Sequence, residues 1–447
     1  MRNLFLVLFF FLCIVVAPID GLAQEPGQIL TLEQATAAAL AANRVARIGD
    51  LDQERARDDV KALKIERLPK LDLKVFEGGF LSPVAFSFTQ GAFGTFPATG
   101  PIPFEDLTVD SPRNLGTVVL FTAIQPLTQL RRISTGEKLL KLGQDLAAEK
   151  SRASRLTIAA DVKRGYYGLL QVGAGLVAAR EALTQLDELD RVVREYVERE
   201  VALPADHLAV RTERARADQT ILSLRHLEAT LKERINLLMG RDLAAPFTVT
   251  PAFPPATETI DLAAAVQRAR TERPAIREAA LNVQRAMEDA RLTERKRVPD
   301  IGVAFSFARL FNVEVIPETI AAAGVLVSWE PFDWGRRRIE RDGKSRTIEQ
   351  ARLAQHEAEA MVTLDVNVKH RKVQETESAL AVAELARQTA SERLRVATDR
   401  YRVEAALLKD VLEAQTALAR ATQEYQQALG AYWTARADLD EAVGQQP

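Results

Sequence analysis

The chain has 447 residues, 27% of them charged, a formal net charge of -2 and one cysteine. That length allows two or three ordinary domains. The near-neutral balance gives no electrostatic case for a nucleic-acid partner, and one thiol excludes a disulfide framework within the chain.

Residues 1–23 read as a secretory signal. Arg2 supplies the positive start, Leu4 to Ala17 is an apolar stretch too short to span a bilayer, and Gly21, Leu22 and Ala23 form a small-residue cleavage site. Cys13 lies inside this segment behind the bulky Phe10, Phe11 and Leu12, where a lipoprotein signal requires small residues, so the exported chain is expected to be free of thiols. No later segment has the uninterrupted apolar length of a transmembrane helix, which leaves any membrane crossing to strands.

The rest is written twice. Leu68 to Asp72 returns at one stride as Val298, Pro299, Asp300, Ile301 and Gly302, and the helix-opening Ile29, Leu30, Thr31 and Leu32 as Thr259, Ile260, Asp261 and Leu262. At a shorter stride Gln125, Pro126 and Arg131 match Glu330, Pro331 and Arg336, while Tyr196, Asp206 and Gly240 face Tyr401, Asp410 and Gly444. Turn and boundary residues kept through two copies mark a tandem duplication: a first repeat over 24–240, a Pro-rich linker over 241–258, and a second repeat over 259–447.

In each repeat an opening helix is followed by residues of period two. Leu71, Leu73 and Val75 alternate with Asp72, Lys74 and Phe76, and Thr117, Val119, Phe121 and Ala123 return after a Gly- and Pro-rich loop from about Thr89 to Asn114. The second copy has Ile301, Val303, Phe305 and Phe307, a shorter loop around Asn312 to Glu318, then Ala323, Val325, Val327 and Trp329. Beyond each hairpin proline disappears, between Pro126 and Pro204 and again between Pro331 and Pro447. Continuous helix is the expectation there, and Ile133 to Arg199 would be on the order of 100 Å long. Leu407, Val411, Ala414, Leu418, Ala421, Tyr425, Ala428 and Tyr432 recur by fours and threes as a coiled-coil seam does. Ala217, Ile221, Leu224, Leu227, Leu231, Ile235 and Leu238 give a less regular one.

Four strands cannot close a transmembrane barrel, since the smallest need about eight, and each open edge in lipid leaves polar groups unpaired at several kcal/mol apiece. If these strands cross a membrane, subunits must share the barrel; the count alone admits two copies or three.

The order of these segments, together with the joint Trp329-Glu330-Pro331-Phe332-Asp333-Trp334-Gly335-Arg336-Arg337 and the segment Tyr401 to Gln415 with its core Asp410-Val411-Leu412-Glu413, resembles the outer membrane efflux proteins, the TolC-like channels. The resemblance covers essentially the whole exported chain. It implies an α+β, mainly α fold: a long-helix coiled-coil barrel continued by a transmembrane β-barrel shared between subunits, built from two tandem structural repeats. It further implies a homotrimer in the outer membrane reaching into the periplasm, docked to a periplasmic membrane-fusion adaptor and an inner-membrane transporter, and serving as a passive exit for small molecules with no cofactor and no catalysis. A protein secretion duct is the alternative within the family, and a soluble periplasmic coiled-coil scaffold the alternative outside it.

By position the resemblance places the pore gate at Asp410 and Glu413, one helical turn apart on one face, with Tyr401 and Asp206 as a hydroxyl-to-carboxylate link. Where the family pattern has an arginine latch, this chain has Ala406, and its tip turns, Val197 to Pro204 and Arg402 to Lys409, lack the usual glycine. Leu203, Pro204 and Leu407 remain as the adaptor-docking tip. The plainer reading of Asp410 is a helix cap. Trp329 and Trp334 are expected at the membrane interface, against outer-membrane lipid, with packing beneath a soluble sheet as the alternative. Gly343, Lys344 and Ser345 imitate the end of a phosphate loop, but Arg338 replaces the glycine it needs. His207, His226, His356 and His370 have no metal-ligand spacing, and no nucleophile, base and orienter arrangement stands out.

Overall fold

The computed structural model describes residues 29–79, 84–111, 115–200, 202–250, 261–312, 317–403 and 405–445. The expected signal, Cys13 and the end of the linker lie outside them.

Two series of elements follow one another. The first is β1 (Ile29–Leu30), α1 (Leu32–Ala42), α2 (Arg44–Ile65), β2 (Lys70–Gly79), β3 (Val84–Phe88), β4 (Thr95–Phe96), β5 (Gly100–Pro101), β6 (Leu107–Ser111), β7 (Leu115–Pro126), α3 (Gln129–Glu198) and α4 (Pro204–Leu238). After β8 (Thr248–Val249) come α5 (Leu262–Glu272), α6 (Pro274–Arg295), β9 (Asp300–Phe311), β10 (Thr319–Ser328), α7 (Arg336–Arg402) and α8 (Leu408–Val443). Corresponding helices agree closely in length: 11 and 22 residues for α1 and α2 as for α5 and α6, then 70 and 35 against 67 and 36.

Two details differ from the sequence reading. Ile29 and Leu30 pair as a parallel strand with β8, inside the expected linker, so the helix opens only at Leu32. There Thr31 and Gln34 exchange side-chain and backbone bonds at 3.1 and 3.3 Å, the reciprocal cap that starts a helix cleanly. The opening helix is also interrupted. At Asn43 the backbone turns extended (φ -64, ψ 130), and its side chain accepts from Val45 N and Ala46 N to begin α2. Arg273 breaks the second copy in the same way (φ -67, ψ 122), but there Pro274 begins α6, since a first-turn residue needs no donor.

Compactness cuts across the duplication. Among the described residues one unit falls within Met1–Ala41, Asp161–Ala256 and Ser378–Thr434, the other within Ala42–Ala160, Thr257–Glu377 and Ala435–Pro447, so each draws on both copies. The second unit holds a four-stranded sheet in the order β10-β9-β7-β2, antiparallel throughout. Each copy contributes one hairpin, and β7 joins them by pairing with β9 from Thr117↔Phe311 to Pro126↔Gly302. Among the described residues β2 and β10 each have one unpaired edge. The long loop of the first hairpin is not irregular: β3 pairs with β6 and β4 with β5. At the base of the sheet Glu137 of α3 is buried among Lys64, Arg67 and Lys141. A hydrogen bond from Lys141 holds its carboxyl below the usual range, with Arg67 and Lys64 adding to the effect against the opposing burial.

In the first unit Val172 and Leu176 of α3 form a core with Ile221 of α4, Leu224 and Leu231 packing at its margin. Each such side chain contributes roughly 1.5–3 kcal/mol when fully buried. The α8 seam follows its expected positions, all buried or half-buried except Leu407. The α4 seam corrects the reading by one residue: Leu227 is exposed, and half-buried Glu228, bonded to Lys232 at 2.7 Å, restores the regular spacing of Ala217, Ile221, Leu224, Leu231, Ile235 and Leu238. The aliphatic side chain was mistaken for the seam because a paired glutamate packs its methylenes equally well there.

Candidate functional site

The strand-to-helix joints are built alike and finished differently. In the first copy Thr128 follows Pro126; its hydroxyl donates to Pro299 O and accepts from Ile301 N, both at 2.8 Å, tying the joint to β9. Arg132 adds an ion pair with Asp300 at 3.1 Å. In the second copy Asp333 accepts from Gly335 N at 3.2 Å and Arg337 N at 3.0 Å, capping α7, and Glu330 pairs with Arg336 and Arg337 at 2.6 and 3.2 Å. Fitting that cap into so short a turn forces Trp334 and Gly335 into the left-handed region (φ 55 and 86). For tryptophan that conformation costs on the order of 1–3 kcal/mol. Its indole is 90% exposed, edge-to-face with Phe332 at 4.9 Å, and Trp329 just before it is exposed as well.

The other candidates gather where α3 turns into α4 and α7 into α8. Asp206 Oδ2 accepts Leu203 N at 3.1 Å, and Asp410 Oδ2 accepts Leu407 N at 3.0 Å. Both aspartates therefore reach back one turn to satisfy the first free donor of their helix. Leu203 (67%), Val403 (72%) and Leu407 (69%) are large apolar side chains exposed at these turns, with Pro204 in the first turn of α4. Asp410 and Ala406 line a groove with Leu385, Arg393 and Arg400, and exposed Glu413 pairs with Lys409 at 3.5 Å.

Tyr401 is half-buried, its ring 6.5 Å from that of its counterpart Tyr196. Burial pushes its hydroxyl above the ordinary phenol range, and neighbouring Tyr196 and Asp206 push the same way, so the hydroxyl stays protonated. Asp206 thus stands near Tyr401, while its carboxylate accepts from Leu203.

His207, which has no metal-ligand spacing, instead packs against a carboxylate of the neighbouring helix. Its Nε2 lies 3.1 Å from Asp190 Oδ1, and Arg194 reaches the same carboxylate at 2.6 Å. Burial pushes the Asp190 carboxyl up, but the hydrogen bond from Arg194 and the charge of His207 more than offset it and leave it below the ordinary range. The only sequence signal was the four-residue spacing of Asp190 and Arg194, common to many solvated helix faces. Gly343 to Ser345 lie within α7, and Lys344 is engaged by Asp289 of α6. No described helix is long and apolar enough to cross a membrane.

Residues 265–445 match the family model described as outer membrane efflux protein. No curated protein matches the chain by sequence. Among solved structures, the chain is similar to the channel-forming protein CusC, with a TM-score of 0.77 at 15% identity over 93% of this chain and 92% of that one. It is similar to the CmeC outer membrane channel of Campylobacter jejuni, with a TM-score of 0.75 at 13% identity, covering 92% and 85%. The open-state MtrE outer membrane channel of Neisseria gonorrhoeae follows, with a TM-score of 0.70 at 17% identity over 92% and 88%. The described chain has the fold of the outer membrane efflux proteins, and residues 265–445 carry that family's sequence pattern.

Proposed function

We propose that this protein is a homotrimeric outer-membrane channel extending into the periplasm, the passive exit duct through which a tripartite efflux system exports small molecules. The observation that carries the reading is the four-stranded sheet with an open edge at β2 and another at β10. Lipid offers those edges no hydrogen-bonding partners, so β2 of one copy must meet β10 of the next until the sheet closes. Three copies agree with the family whose fold the chain has. Exposed Trp329 and Trp334 suit the boundary between hydrocarbon and headgroups, with Arg336 and Arg337 on its wet side.

The chain does no chemistry in this reading; its work is gating. Asp410 and Glu413, repeated by symmetry, form acidic rings at the periplasmic constriction and favour cations. Tyr401 and Asp206 hold the closed tip. Leu203, Pro204 and Leu407 present the surface that the periplasmic adaptor engages, and the adaptor links the duct to an inner-membrane transporter. Membrane fractionation tests the class: a heat-modifiable oligomer that requires detergent supports the channel, whereas a dissolved monomer removes it. For the gate, the double variant Asp410→Ala/Glu413→Ala is expected to lower cation selectivity in bilayer conductance, and unchanged selectivity takes both residues out of the constriction.

A further inference from the structure

The first hairpin carries a smaller ribbon that the channel reading leaves without a role. In the β3–β6 ladder Phe86 faces Val109 and Phe88 faces Leu107, while Ser87 faces Thr108 with hydroxyls 3.3 Å apart. Side chains alternate across a strand, so Phe86, Phe88, Leu107 and Val109 share one face and the hydroxyls the other. Phe93 extends the apolar face, its ring 5.0 Å from Phe88. At the far end Phe96 and Phe104 are exposed, Phe104 by 64%. From Val84 to Ser111 there is no lysine or arginine; the acids are Glu105, Asp106 and Asp110, and Asp106 already accepts Gln90 N at 2.8 Å.

A two-stranded ribbon is marginally stable alone, and an apolar face of this kind calls for a cover. Phosphate-bearing lipid headgroups are recognised by cations, and the ribbon has none. Among the described residues the other hairpin, with β9 ending at Phe311 and β10 beginning at Thr319, shows no second ribbon to match it. A second copy remains. The ribbon springs from β2, the edge where the shared-barrel reading seats the neighbour, so symmetry brings the ribbons of all copies to one end of the pooled sheet.

We infer that each ribbon docks on the ribbon of the adjacent copy, the Phe96 and Phe104 end of one against the Phe86 and Phe88 face of the next, as a cyclic assembly requires two different surfaces per contact. The inference rests on the shared-barrel reading. A benzophenone amino acid in place of Phe104, in the full chain in detergent, is expected to give a band of twice the chain mass, with the captured peptide inside residues 84–111 of a second copy. The same probe at Ser87, on the hydroxyl face, is expected to give none. Phe86→Ser/Phe88→Ser is expected to lower the Phe104 capture about tenfold, as loss of aromatic anchors does, while native mass remains that of the oligomer. Capture of lipid alone, or of the same chain alone, from an intact oligomer overturns the ribbon contact and leaves the channel standing. A monomeric native mass brings down both.

Discussion

At the α3–α4 turn Asp206 reaches back to Leu203 N, and at the α7–α8 turn Asp410 reaches back to Leu407 N, with bonds of 3.1 and 3.0 Å. One residue further on the two turns part company. His207 lies against Asp190 and Arg194, whereas Val411 is buried as a plain hydrophobe. Duplication has kept what sets the backbone and released what fills the space behind it. A capping carboxylate is dictated by local geometry, identical in both copies; the packed interior is set by its neighbours, and those differ. Gly240 and Gly444 tell the same story, both left-handed (φ 68 and 79) at the ends of α4 and α8.

The largest expected effect comes from forcing one turn to resemble the other. Val411→His, followed in mild acid, places an imidazolium where no Asp190 equivalent approaches it: the position matching Asp190 is Arg395, itself a cation and already paired with Glu392 and Asp399. An unpartnered buried charge costs roughly 3–5 kcal/mol, and hydrogen exchange should show the start of α8 opening freely. Protection equal to that of the parent would mean the turn tolerates charge as its counterpart does, and the contrast would dissolve.

Second in size is Gly444→Ala. A Cβ there would stand 3.2 Å from Glu272 C and 3.3 Å from Arg273 N, in a left-handed conformation that disfavours side chains. Strain and crowding together are expected to cost on the order of 1–3 kcal/mol, read as a lower unfolding midpoint of the detergent-solubilised protein. The helix breaks come next. Asn43→Ala removes a side-chain cap, about 1 kcal/mol, which Asn43→Asp should restore, whereas Pro274→Ala loses backbone restriction, roughly 0.4–1 kcal/mol, together with part of a buried ring's packing. If Asn43→Asp loses as much as Asn43→Ala, the first break does not depend on a side-chain acceptor.

Conserved boundary chemistry is also why so much of the fold was legible. The matched Pro126 and Pro331 and the period-two runs marked the hairpins, and proline-free stretches marked the long helices. The break at Asn43 is hidden in the sequence because Asn43 acts through donors two and three residues on, whereas the break at Arg273 is announced by Pro274, which disfavours helical backbone at the residue before it. Leu227 reads as a seam position because hydrophobicity outranks a paired glutamate when only residue types are compared. At the turns the positions of Asp206 and Asp410 were legible, but the His207 cluster was not, since it joins residues of two helices whose register the sequence does not state.

The smallest effect concerns that cluster and tests the comparison by pH. Asp190 ionises in the folded chain below its ordinary value of 3.8, so its pairing contributes stability fully above that value and loses it as pH falls through the lower folded one. Thermal midpoints of parent and Asp190→Asn, followed by circular dichroism from about pH 7 to about pH 3, should therefore differ most at neutral pH and converge in acid. Glu392 of α7, held low by a hydrogen bond from Arg395 within its own helix, gives the contrasting case. Being local to one exposed helix face, it should leave the midpoint nearly unchanged when replaced by Gln. A parallel offset between parent and Asp190→Asn at every pH would show that the Asp190 side chain matters at the α3–α4 turn for its shape rather than its charge.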